Sequence, residues 1–118
     1  MKIDLPCRGN YMLHMLSAVT LGPAVAPEAF YSAVAELTAY LEQQKLIAST
    51  SAIGRRVKHP VMDTDAADLH FFFTISFDTQ EQLEASVEYM TGQRGTGAHL
   101  HEKLWSQLSD YRFTCWED

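Results

Sequence analysis

Leu69-His70-Phe71-Phe72-Phe73-Thr74-Ile75-Ser76-Phe77 is the stretch of sequence that decides the fold. Every second residue from Leu69 onward is apolar, whereas the intervening positions are His70, Phe72, Thr74 and Ser76. Such alternation is typical of a β-strand that turns one face to the core and the other to a less protected surface. We therefore expect a strand over residues 69–77 whose odd-numbered side chains are buried.

The residues before this strand predict a strand, a helix and a weaker strand. In residues 11–21 both alternating sets are fairly apolar, as in a central strand. Pro27 suits the first position of a helix, which then carries an apolar stripe to about Gln44: Phe30, Val34, Leu37 and Leu41. Residues 47–57 hold more Ser, Thr and Ala, and Gly54 favours a bend, so they predict an edge strand. The link 59–68, with Pro60 and three aspartates, fits a long hairpin loop.

The residues after this strand predict a broken helical region and a last strand. Thr79 and Gln82 have capping-box spacing at the start of a helix that carries Leu83, Val87 and Met90 on one stripe. The glycines of Gly92–Gly97 interrupt it, and a third helical piece follows with Leu100, Leu104 and Leu108 four residues apart. Residues 111–116 alternate again, with Tyr111, Phe113 and Cys115 on one face and Arg112, Thr114 and Trp116 on the other.

This order of elements, β-α-β-β-α-β, predicts an α+β domain of the ferredoxin-like type. We expect a four-stranded antiparallel sheet in the order 4-1-3-2 with its helices on one face, formed by residues 11–118 after a flexible arm at residues 1–10. The uncovered face would carry His14, Leu16, Ala18, Phe72, Thr74, Thr114 and Trp116. Because this surface is too apolar for water alone, a second copy of the chain is expected to cover it.

Composition and charge narrow the functional classes. The chain has 118 residues, of which 47% are hydrophobic and 20% charged, so one core forms without a metal or disulfide and no cofactor is required for stability. A net charge of −6 argues against nucleic-acid binding. The sequence contains no run of about 18 apolar residues, which is the length that would predict a membrane span. The separated Cys7 and Cys115 predict neither a zinc site nor a redox pair and suit a cytoplasmic location.

The chain resembles the dimeric α+β barrel superfamily, and within it a group of bacterial proteins of uncharacterised function. The resemblance covers roughly residues 11–118 and rests on the opening strand with His14, the helix led by Pro27, residues 69–73, and the ending 108–118, LSDYRFTCWED. It implies a homodimer formed through the open sheet faces. It also implies a central cavity, which some members use for cofactor-free oxygenation, haem degradation, dehalogenation or cyclisation.

His14 is the candidate centre of a functional site on the open face. Strand pairing should bring it near Ser76 or Thr74 on one side and Thr114 or Trp116 on the other, with Phe72 and Arg112 as further candidate ligand-binding residues. A histidine among hydroxyls and an indole can act as a general base or orient a ligand, although it is also a common interface residue. His70 should lie about 20 Å away, which excludes a shared metal site within one chain.

Three functions remain open from the sequence. The first is a homodimer that binds a small, partly apolar molecule in the cavity between the two sheets. The second is a cofactor-independent monooxygenase or cyclase that acts on an aromatic or polyketide-like substrate. The third is a structural or regulatory dimer without a ligand. His99 and Glu102, which share a helix face, and the glycines of Gly92–Gly97 are weaker candidates for a metal and an anion site.

Overall fold

Residues 71–77 lie within an antiparallel sheet. The computed structural model describes residues 12–92 and 95–118, so the predicted arm at residues 1–10 lies outside the described residues. Strand β1 (Leu13–Leu21) pairs antiparallel with β4 (Phe71–Phe77) on one side and with β5 (Leu108–Glu117) on the other. The central position of β1 explains why both of its faces are apolar in sequence.

The predicted second strand is two short strands, β2 (Ser49–Thr50) and β3 (Gly54–Arg55), both paired with β4. Over residues 12–92 and 95–118 the sheet therefore has five strands in the order β2-β4-β1-β5, with β3 also beside β4. The predictions of four strands and of the order 4-1-3-2 are wrong in these respects. The interruption has a local cause, because the Ser51 side chain accepts the Thr74 N–H at 2.8 Å in place of a backbone carbonyl.

In the part of the chain that the structure describes, three helices form the second layer: α1 (Pro27–Gln43), α2 (Gln80–Thr91) and α3 (Thr96–Trp105). Pro27 opens α1 as predicted, and the predicted stripe of α1 is buried. The break between α2 and α3 falls within Gly92–Gly97, also as predicted. Within the described residues, no helix is long and apolar enough to span a membrane.

Leu108 belongs to β5 and not to the third helix, contrary to the sequence prediction. The chain leaves α3 through a turn in which the Gln107 N–H donates to the Leu104 carbonyl at 3.0 Å, and Leu108 then pairs with Leu21.

The core lies between the helices and the odd-numbered face of the sheet. It contains residues from α1, β1, β4 and α3 and one residue, Ile47, from the connection between α1 and β2: Val19, Phe30, Ala33, Val34, Leu37, Leu41, Ile47, Phe71, Phe73, Ile75, Phe77 and Leu104. The helix-side residues of β5 behave differently, because Tyr111 and Phe113 remain exposed at this side of the sheet. The helix layer thus protects β4 and β1 more fully than β5.

Candidate functional site

His14 is the centre of a hydrogen-bonded cluster on the open face of the sheet. Its Nδ1 lies 2.7 Å from Ser76 Oγ, and its Nε2 lies 2.7 Å from Asp118 Oδ1. Since a carboxylate only accepts, Nε2 donates to Asp118, and the tautomer that carries its proton on Nε2 leaves Nδ1 to accept the Ser76 hydroxyl proton. The Trp116 ring lies 5.3 Å from the imidazole, between ring centres. The strand register therefore places Ser76 and Trp116 beside His14, on either side of β1.

The other predicted site residues lie farther along the same face. Thr74 and Thr114 are the register partners of Leu16, one row from His14. Phe72 and Arg112 pair with Ala18, four residues from His14 and so about 13 Å away along the strand. The open face is thus polar around His14, and Phe72 and Arg112 do not join that cluster. Asp118 contacts His14 without having been a predicted site residue.

His70 and the histidines of α3 occupy separate places. The His70 backbone N–H donates to the Val19 carbonyl, at the end of β1 opposite His14. On α3, His99 is exposed and His101 is half-buried, and both line a groove beside the α2–α3 break. Among the described residues, no three His, Cys, Asp or Glu side chains are grouped so that they could hold a metal ion.

A second candidate site is a cavity of about 320 Å³ between the sheet and the helices of the same chain. Its floor is the odd-numbered face of the sheet, and its roof comes from all three helices. Its lining is almost wholly apolar: Met15, Ser17, Val19, Phe30, Val34, Leu37, Thr38, Phe73, Ile75, Val87, Met90, Thr91, His101, Leu104, Trp105, Leu108 and Phe113. This cavity was not predicted from the sequence.

The few polar side chains of the cavity differ in their hydrogen bonding. Thr38 Oγ1 donates to the Val34 carbonyl and Thr91 Oγ1 to the Val87 carbonyl, each at 2.8 Å. Ser17, in contrast, is 2% exposed, and its hydroxyl makes no hydrogen bond to any described residue. The sequence does carry a signal for Ser17, because it interrupts the otherwise apolar odd-numbered set of β1.

Of the described residues that line this cavity, His101 alone has a titratable side chain. Its ring packs on Trp105 with 5.7 Å between ring centres, and it makes no hydrogen bond within residues 12–92 and 95–118. Burial lowers the pKa of His101, which favours the neutral imidazole. An outer, more polar groove beside the α2–α3 break shares four of its lining residues with the cavity: Met90, Thr91, His101 and Trp105. His101 therefore lies between the apolar cavity and this groove.

Comparisons with known proteins support the fold. No protein-family model matches the sequence, and no curated protein does. Among solved structures, the chain is similar to the At3g17210 protein of Arabidopsis thaliana, with a TM-score of 0.66 and 14% identity over 89% of this chain and 92% of that chain. A dimeric ferredoxin-like protein of unknown function from Jannaschia also has a TM-score of 0.66, with 13% identity over 89% and 97% of the two chains.

A third similar structure has a described activity. It is SnoaB from Streptomyces nogalater, a cofactor-independent oxygenase, with a TM-score of 0.62 and 10% identity over 91% of each chain. At these identities the likeness bears on the fold alone. The comparisons therefore confirm the ferredoxin-like α+β fold that the sequence predicts.

Proposed function

We propose that the protein binds a small, mainly apolar molecule in the cavity between its sheet and its helices. The observation that carries this proposal is a space of about 320 Å³ whose walls are almost entirely apolar. Ligand pockets commonly measure about 300–1,000 Å³ and are lined mainly by apolar and aromatic side chains with a few polar groups. The cavity therefore suits a ligand at the small end of this range.

The physical argument for a ligand is that water molecules are not stable in such an apolar cavity. A water molecule needs two to four polar partners, whereas an apolar cavity of about 150 Å³ stays dry and takes up benzene. The present cavity has room for a compound of about two rings. Phe30, Phe73, Trp105 and Phe113 on its walls favour a flat molecule.

Naphthalene is a direct probe of this proposal. A ligand that binds only the folded state raises the melting temperature, so saturating naphthalene should raise the melting temperature of the wild type. Val34→Phe, which places a ring in the cavity, should abolish the increase. Val57→Phe is the matched control, since Val57 is 80% exposed and does not line the cavity. An equal increase in all three proteins, or none in the wild type, would contradict the proposal.

A second candidate function is cofactor-independent oxygenation of an aromatic substrate. It is favoured by the similarity to SnoaB and by the half-buried imidazole of His101 at an apolar cavity. A neutral imidazole there would remove a proton from a phenol or aromatic ketone, and the anion would react with dioxygen. For a methylene group that becomes a carbonyl, one oxygen atom enters the product, and the other leaves as water with both substrate hydrogens.

Oxygen uptake with a panel of quinols and aromatic ketones tests this candidate. The comparison of His101→Phe with His14→Ala assigns the base, since the two histidines belong to different sites. Loss of uptake in His101→Phe alone supports the cavity mechanism, and loss in His14→Ala alone moves the reaction to the open face. No uptake by the wild type contradicts this candidate but leaves naphthalene binding to be judged separately.

We also propose that two copies of the chain associate through their open sheet faces. Leu16, Phe72 and Trp116 make this face partly apolar, and several similar structures are described as dimeric. The His14 cluster would then lie within or beside the interface, where its hydrogen bonds with Ser76 and Asp118 fix the imidazole.

A further inference from the structure

Ser17 is an unusual residue for its place in the sheet. It lies in the middle of β1 and faces the helices, with Phe73 and Phe113 as its register partners. Its side chain is buried, lines the cavity and has no hydrogen-bonding partner among the described residues. Buried hydroxyls nearly always have a partner. The hydroxyl of Ser17 is therefore available to a bound molecule.

A water molecule would be a poor hydrogen-bonding partner for the Ser17 hydroxyl. The hydroxyl protons of Thr38 and Thr91, which also line the cavity, are already donated to carbonyls of their own helices. A water beside Ser17 would thus meet mainly apolar walls and fall short of its usual two to four hydrogen bonds. A ligand with an apolar body and a suitably placed oxygen atom satisfies Ser17 without that cost.

His101 offers the second hydrogen-bonding position, on the side of the cavity that meets the outer groove. A neutral imidazole has one ring nitrogen that accepts and one that donates. Among the described residues, the cavity lining includes no Lys, Arg, Asp or Glu, so within that part of the chain a carboxylate or an ammonium group would meet no counter-charge. A neutral hydroxyl is the group that fits, and an acidic hydroxyl is the strongest donor to the imidazole.

We infer that Ser17 and His101 are the two ligand-positioning residues of the cavity, and that its ligand is a flat, uncharged compound with two oxygen groups. One of these is a phenol or enol hydroxyl that donates to His101, and the other bonds to the Ser17 hydroxyl. This inference rests on the proposed binding function and deepens it, because it states the chemical class of the ligand.

A graded set of probes tests the inference: naphthalene, 2-naphthol and 2,6-dihydroxynaphthalene. Their affinities for the wild type should rise in that order, as measured by isothermal titration calorimetry. Ser17→Ala and His101→Phe should each lower the affinity for the dihydroxy compound by about three- to tenfold, the usual effect of losing one hydrogen bond. Neither substitution should weaken naphthalene binding by a comparable factor.

Matched substitutions elsewhere provide the controls. Ser86→Ala changes another buried serine whose Oγ lacks a partner, but Ser86 lies outside the cavity lining. His99→Phe changes an exposed histidine of the same helix. Both controls should bind the dihydroxy compound like the wild type. Nitrogen-15 NMR of the wild type provides a measurement that needs no variant, because 2-naphthol should shift the imidazole resonances of His101 more than naphthalene does.

The possible results distinguish this inference from the proposal on which it rests, namely that the cavity binds a small apolar molecule. If naphthalene binds but the hydroxyl groups add no affinity, or if both variants bind the dihydroxy compound like the wild type, the inference is overturned and the apolar cavity stands. If no probe binds the wild type, both fail. A graded affinity that is lost in Ser17→Ala and His101→Phe alone supports both.

Discussion

His101 links the charge state of a single residue to the stability of the fold. Desolvation lowers the pKa of its imidazole below the ordinary value of 6.5. In the interval between the two values, the unfolded chain carries a proton that the folded chain does not, so the free energy of unfolding rises with pH. The contribution of His101 is fully present above pH 6.5 and is lost as the pH falls through the folded-state pKa.

The corresponding prediction concerns His101→Phe, which removes the titration but retains a ring against Trp105. Urea unfolding of the wild type and the variant between pH 7.5 and pH 5 should show a smaller loss of stability for the variant on acidification. Parallel curves for the two proteins would mean that His101 titrates alike in the folded and unfolded chains.

Arg56 shows what a sequence pattern misses at this scale. The basic run from Arg55 to His59 suggests a solvated strand end, yet the Arg56 side chain is 8% exposed. It donates to Asp63 Oδ2 at 2.9 Å, to the Asp65 carbonyl at 2.8 Å, and to the Ala67 carbonyl. These bonds depend on how the following loop folds back, which the spacing of charges along the chain does not encode.

Among the elements, the start of α2 was predictable because its signal is local. Thr79 Oγ1 accepts the Gln82 N–H at 3.0 Å, and Gln82 Oε1 accepts the Asp78 N–H at 2.7 Å. Thr79→Ala removes the first of these bonds and should lower the free energy of unfolding by about 1 kcal/mol. Thr79→Ser, which keeps the hydroxyl, should stay close to the wild type in chemical denaturation, and an equal loss in both variants would contradict a capping role.

The packing of α3 on α2 depends on the absence of a side chain at Gly97. A Cβ atom there would overlap the Tyr89 ring, whose hydroxyl is hydrogen-bonded to that of Tyr40 at 2.6 Å. Gly97→Ala should therefore cost about 1–3 kcal/mol through overpacking, although alanine is the better helix former.

A double-mutant cycle with Tyr89→Ala separates these two effects. Once the ring is removed, Gly97→Ala should be neutral or stabilising in urea denaturation. Additive losses in the double variant would show that Tyr89 is not what excludes a side chain at Gly97.

The elements that sequence patterns describe least well are those shaped by neighbouring strands. Alternation in residues 69–77 and the stripe of α1 reflect burial against a wide core, and both were predicted. The division of the second strand into β2 and β3 depends on the Ser51 side chain pairing with β4, and the exposure of Tyr111 and Phe113 depends on how far the helices extend over β5. Both are consequences of tertiary packing.

At the scale of the whole molecule, the sequence indicates which side chains face the helices and which face the open side of the sheet. It does not indicate where a cavity remains between the sheet and the helices. The strand register around His14 follows from antiparallel pairing, so Ser76 and Trp116 were expected beside it. The cavity instead reflects the distance between the helices and the sheet, together with the volumes of side chains from six elements. Periodicity records which side a residue faces and contains no information about that distance, although the polar Ser17 in an apolar set is a detectable sign.

The open face leads to a last prediction, about assembly. If two chains pack there about a two-fold axis, each Trp116 is buried by the partner, and Trp116→Glu places like charges in an isologous interface. Trp116 is 43% exposed in the single chain, so the variant should still fold.

Light scattering should give twice the 13.3 kDa chain mass for the wild type and a single-chain mass for Trp116→Glu. Met62→Glu, at an 83% exposed loop position, should remain dimeric. A wild type of 13.3 kDa would rule out the dimer, whereas a dimeric Trp116→Glu would move the interface to another surface.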